Sequence, residues 1–67
     1  MRYELAKRSE SGIVVRLIWD AEADRVLVSY RDERTGDSFV VEVPRDEAMS
    51  AFEHPNAYRV ERVLSGV

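Results

Sequence analysis

Ile13-Val14-Val15-Arg16-Leu17-Ile18-Trp19 decides the fold. The run is rich in β-branched residues and too short for a bilayer-spanning helix, which needs about 20 apolar residues. It reads as a strand that places Ile13, Val15, Leu17 and Trp19 on one face and Val14 and Ile18 on the other, with Arg16 as its one polar interruption. A strand apolar on both sides must be covered on both sides.

Working outward, Arg25–Asp32 (RVLVSYRD) and Ser38–Val43 (SFVVEV) repeat the period-two pattern. Val26, Val28 and Tyr30 alternate with Arg25, Leu27, Ser29 and Arg31, while Phe39, Val41 and Val43 point away from Ser38, Val40 and Glu42. Short polar segments separate the three strands, Asp20-Ala21-Glu22-Ala23-Asp24 and Glu33-Arg34-Thr35-Gly36-Asp37, both of hairpin length. Gly36 is the residue able to take a positive φ there without a Cβ penalty. Consecutive hairpins make an antiparallel meander.

The flanks complete an α+β unit. Pro44 ends the third strand, and Arg45–His54 reads as a short helix with Ala48, Met49, Ala51 and Phe52 toward the sheet. Pro55 closes that helix, leaving the His54 imidazole beside its last carbonyls. Arg2–Arg8, with Tyr3 and Leu5 at strand spacing, reads as an outer strand turned back at Ser9-Glu10-Ser11-Gly12. The tail Asn56–Gly66 reads either as a helix capped by Asn56 or as a strand alternating around Arg62. The expected fold is one small domain over residues 1–67. It is a three- or four-stranded antiparallel meander with a short helix on one face and a short C-terminal helix or strand.

Composition limits function more than it assigns it. A hydrophobic content of 45% excludes a disordered chain despite 34% charged residues. With no cysteine, disulfides and thiolate zinc sites are impossible, and a core of this size supplies only ~3–5 kcal/mol. Self-association is therefore an expected source of added stability. Met1-Arg2-Tyr3-Glu4 begins no signal-peptide pattern, so a cytoplasmic protein without membrane contact is expected.

Chemical motifs are sparse. Asp20, Glu22 and Asp24 match the first three ligand positions of a calcium loop, but Arg25 stands where that loop needs glycine and Arg31 where it needs glutamate. His54 is the single imidazole and no serine sits in a G-x-S-x-G elbow, so no catalytic residue, cofactor or metal is assigned. The expectation is a non-enzymatic protein-interaction or homodimerising module. Its contact residues are Val14, Ile18 and Trp19, with Trp19 as an aromatic anchor.

The alternative is a nucleic-acid-associated regulatory or antitoxin-like protein. Nine of the ten basic residues are arginine, and Arg16, Arg31 and Arg34 are the candidate phosphate contacts, with Tyr3, Trp19, Tyr30 and Phe39 as stacking surfaces. The net charge of −3 and the even interleaving of acids weigh against it.

Four segments also carry a family resemblance: Leu17-Ile18-Trp19-Asp20, Asp24-Arg25-Val26-Leu27-Val28, Asp32-Glu33-Arg34-Thr35-Gly36-Asp37-Ser38-Phe39, and Ala51-Phe52-Glu53-His54-Pro55-Asn56-Ala57-Tyr58. The chain resembles a group of small uncharacterised actinobacterial proteins that share a tryptophan-ended strand, a D-E-R-T-G hairpin and a closing F-x-H-P-x-A-Y segment. The resemblance implies a cytoplasmic bacterial β-then-α unit without an assigned activity. It adds His54, Pro55, Ala57 and Tyr58 to the candidate recognition surface.

Overall fold

A computed structural model describes residues 1–59. Four antiparallel strands form one sheet in chain order: β1 (Arg2–Glu10), β2 (Ile13–Asp20), β3 (Arg25–Asp32) and β4 (Asp37–Val43). A 3-10 turn at Arg45–Glu47 leads into α1 (Ala48–Glu53), and a second 3-10 turn covers Pro55–Tyr58. The outer strand expected at the N-terminus is thus present, and it is longer than its pattern indicated. Its turn is confined to Ser11 and Gly12, whose φ angles of 54° and 83° are both positive, as the tightest two-residue hairpin requires. The other two hairpins use the four-residue loops Ala21–Asp24 and Glu33–Gly36. Gly36 has φ 82° and its N–H donates to the Asp32 carbonyl at 2.8 Å, closing the second of them.

Strand register sorts the side chains. On one face, hereafter the first, Val15 stands opposite Tyr30, Leu17 opposite Val28 and Trp19 opposite Val26. Tyr30, Val28 and Val26 in turn meet Phe39, Val41 and Val43. These residues other than Trp19 form a single buried cluster that also contains Ala51 and Phe52 of α1. On the second face Val14 meets Arg31, Arg16 meets Ser29, and Ile18 meets Leu27.

A bulge between Glu4 and Ala6 lets β1 obey the same sorting: Tyr3, Ala6 and Arg8 pair with Trp19, Leu17 and Val15, while Glu4, Lys7 and Ser9 pair with Ile18, Arg16 and Val14. Without the extra residue every side chain beyond it would change face.

Four local expectations are corrected. The helix is shorter than Arg45–His54, because its first turn, entered from Pro44 without a side-chain cap, is 3-10. Met49 is 58% exposed, since Ala48, Ala51 and Phe52 occupy the inward side of so short a helix and Met49 is a third of a turn away from Ala48. The carbonyls ending the helix are taken by Arg8 rather than His54: Arg8 Nε donates to Phe52 O at 3.0 Å and Nη2 to Glu53 O at 3.1 Å. His54 itself is exposed, with its backbone N–H on Ser50 O. Of the tail, Pro55–Tyr58 is a 3-10 turn rather than the start of a strand or an Asn56-capped helix. The rest of that segment lies outside the described residues.

Candidate interaction surface

The sequence-derived candidates are distributed over three places. Val14 and Ile18 lie on the second face, both half-buried. Leu27, opposite Ile18, is 0% exposed on that face. Arg25, beside Leu27 along the strand, spans Asp20 at 3.6 Å and Glu42 at 3.9 Å. The second face is therefore a small apolar strip framed by charge.

Trp19 lies on the first face and is half-buried. Its ring stacks on Tyr3 with centroids 5.6 Å apart, and Tyr3 is 45% exposed. Leu5, the residue the bulge leaves without a direct partner, is 55% exposed on the same strand. The Trp19 end of the first face thus runs into an apolar outer edge.

His54 and Tyr58 occupy the chain's exit from the helix. Tyr58 packs against the buried cluster and its hydroxyl donates to Glu47 Oε1 at 2.9 Å. Next to it Arg59 lies over the Phe39 ring at 4.9 Å and forks onto Asp37 at 2.7 and 2.8 Å. These contacts fasten the exit to β4. His54 lines an open groove of about 450 Å³ together with Arg8, Ser11, Ile13, Tyr30 and Pro55. No hydrogen bond joins Ser11 to His54 among the described residues, and none of these residues forms a cluster of three or more metal-ligating side chains.

The arginines named for nucleic acid are divided. Arg16 and Arg31 share the second face, where Arg16 is held by Glu4 at 3.0 Å. Tyr3 stacks on Trp19 and Tyr30 on Phe39, both pairs on the opposite face. Arg34 belongs to a third group. It forks onto Asp32 with Nε at 3.1 Å and Nη2 at 3.0 Å, and its stem crosses Gly12. A stacking platform and its phosphate contacts are not assembled on one side.

Sequence reasoning missed the roles of Arg8, Asp32 and Arg59. Arg8 and Arg59 act across 44 and 22 residues, and no local pattern marks such a reach. Asp32 offered one signal, an acid followed two residues later by arginine at a hairpin mouth, where a side chain accepts backbone N–H groups.

These carboxylates make folding sensitive to acid. The Arg34 fork, helped by the Arg34 and Thr35 backbone N–H groups, holds Asp32 below the usual carboxylate range against the opposing effect of burial. Arg59 does the same for Asp37. For Asp20 burial is the largest single influence and pushes upward, but the Ala23 and Glu22 N–H groups with Arg2 and Arg25 together bring it below its ordinary value. Each carboxylate binds its proton less readily in the folded chain than in the unfolded one. Their stabilising contribution is complete above the unfolded carboxylate range, near pH 4, and is lost as pH falls through the lowered folded values. Urea midpoints should therefore hold steady from neutrality to about pH 5 and fall below about pH 4. Asp32→Asn should flatten part of that fall. An unchanged acid limb in this variant would remove Asp32 from the account.

Comparison with protein-family models, curated proteins and solved structures found no match. No helix among the described residues is long and apolar enough to cross a membrane.

Proposed function

We propose that this chain is a non-enzymatic cytoplasmic module that acts by protein contact, as a homodimer or with a partner protein. Its short helix serves as the cover of the first sheet face, a reading supported by Ala51 and Phe52 in the buried cluster. The observation that carries the proposal is the concentration of exposed apolar side chains. Of the four large hydrophobic residues exposed among the described residues, Met1, Tyr3 and Leu5 lie on or beside β1, at 70%, 45% and 55%. Clustered exposure of this kind marks contact surfaces more than scattered apolar residues do. The kinship with small actinobacterial proteins belongs to the same proposal and rests on its four sequence segments.

Affinity capture from a lysate of the source cell, with the tagged full chain as bait, tests this reading. Proteins recovered after nuclease treatment and lost with a folded Leu5→Lys bait are the expected result. Recovery that disappears with nuclease overturns it in favour of the nucleic-acid alternative. Nuclease-resistant recovery indifferent to Leu5→Lys overturns β1 as the contact surface.

A further inference from the structure

We propose that β1 pairs antiparallel, edge to edge, with β1 of a second copy about a two-fold axis between Leu5 and Ala6, joining two four-stranded sheets into one. The proposal rests on the reading of the chain as a module that acts by protein contact, and it names the partner and the register. β1 is the first strand in the sheet order, hydrogen-bonded within the sheet to β2 alone. Strands in that position present a row of backbone donors and acceptors to any chain able to match them.

The bulge selects which chain that is. A one-residue bulge and a lysine normally blunt an edge, because an ordinary strand laid alongside falls out of step at the extra residue. A second copy carries the same bulge at the same place. With the two-fold between Leu5 and Ala6, the interruption in one strand falls opposite the interruption in the other.

Faces and charges then agree on this register. Arg2, Glu4, Lys7 and Ser9 point to the second face, and Tyr3, Ala6 and Arg8 to the first. Paired strands in a continuous sheet must keep those faces together. With the axis between Leu5 and Ala6, Arg2 meets Ser9, Glu4 meets Lys7 and Tyr3 meets Arg8 of the other copy, each on its own face. Moving the axis onto Ala6 sets Glu4 against Arg8, which lie on opposite faces. Moving it between Glu4 and Leu5 sets Arg2 against Lys7, two like-charge pairs per dimer. The chosen register instead forms the Glu4–Lys7 pair twice, and opposite charges across a strand pair are favourable. Lys7 has no ion pair among the described residues, and Glu4 engages Arg16 through Oε1 alone.

Sedimentation equilibrium of the full chain from about 5 to about 500 μM tests the proposal. The wild-type protein should reach twice the monomer mass. Lys7→Glu and Glu4→Lys should each raise the dimer dissociation constant about tenfold or more, since each replaces two opposite-charge pairs with two like-charge pairs. An equimolar mixture of the two variants should recover dimer, because each then meets its opposite. Circular dichroism verifies that the variants fold, and Lys7→Glu alters an exposed side chain with no ion pair to lose among the described residues. A wild-type monomer at every concentration overturns the second copy as partner, while the capture experiment independently decides the protein-contact reading. A wild-type dimer indifferent to both substitutions overturns this register and leaves the homodimerising module standing.

Discussion

Leu27→Ala should lower the free energy of unfolding by about 2–5 kcal/mol, the range for truncating a buried leucine. Leu27 is 0% exposed, yet it stands outside the main cluster, on the second face opposite Ile18 and Glu42. The expected loss is of the same order as the whole ~3–5 kcal/mol available to so small a core. Much of the variant should therefore be unfolded in water at room temperature. Urea denaturation followed by circular dichroism measures it, with Leu5→Ala as the comparison. Leu5 is 55% exposed, so its truncation in the monomer should stay within about 0.5 kcal/mol. A Leu27→Ala protein as stable as the Leu5 variant would mean that the second face is wet at its centre.

Gly12→Ala should destabilise by about 1–3 kcal/mol through backbone strain, with a steric contribution added. Gly12 sits at φ 83°, where an L side chain is strained, and a Cβ there would lie 2.9 Å from Arg34 Cγ and 3.2 Å from Cδ. Arg34 cannot swing aside freely, because its guanidinium is forked onto Asp32 and its backbone N–H donates to the same carboxylate at 3.0 Å. The two contributions separate in a double-mutant cycle. In an Arg34→Ala background the overlap is gone and only the φ strain remains, so the glycine substitution should cost less. Equal cost in both backgrounds would show that the arginine stem plays no part.

Gly12 and Leu27 also mark how far the sequence could be read. Leu27 is the one apolar residue of β3 that alternation sends to the face opposite Val26, Val28 and Tyr30, and nothing there signals coverage, because its neighbours Arg25 and Glu42 read as surface charges. Gly12 reads as part of a four-residue turn, whereas both Ser11 and Gly12 adopt positive φ and leave Ser9 and Glu10 in the strand. Strands β2, β3 and β4 were legible because each residue's face follows from a strict period of two. β1 was legible only up to Leu5. Beyond it the bulge shifts the phase, so Ala6 and Arg8 take the face that Tyr3 holds, and alternation counted from Tyr3 misplaces them.

The candidate surface was legible in its parts and not in its grouping. The assignment of Val14 and Ile18 to one face, and Trp19 to the other, follows from alternation alone. That Trp19 finds Tyr3 depends on the β1 register, and that Arg8 reaches the helix carbonyls depends on α1 lying 44 residues further along the chain. Neither distance leaves a mark in local sequence. The asymmetry is physical: periodicity records which way a side chain points, and it carries no information about what stands there to meet it.

The hairpin loops have one more consequence, for the route by which the chain folds. Every strand pairs with its sequence neighbour, across loops of two, four and four residues, so the sheet forms by closing short loops and little chain entropy opposes each closure. Contact beyond neighbouring strands enters where Ala51 and Phe52 of α1 join the sheet's buried cluster, where Arg8 meets Phe52 and Glu53, and where Arg59 meets Asp37. A meander assembled this way needs no long crossover before its strands pair, which favours faster folding than all-β topologies whose pairing strands are distant in sequence. Its outermost strand spends little time as an unpaired ribbon, so an apolar β1 edge is presented to other molecules chiefly by the finished sheet and scarcely by its precursors.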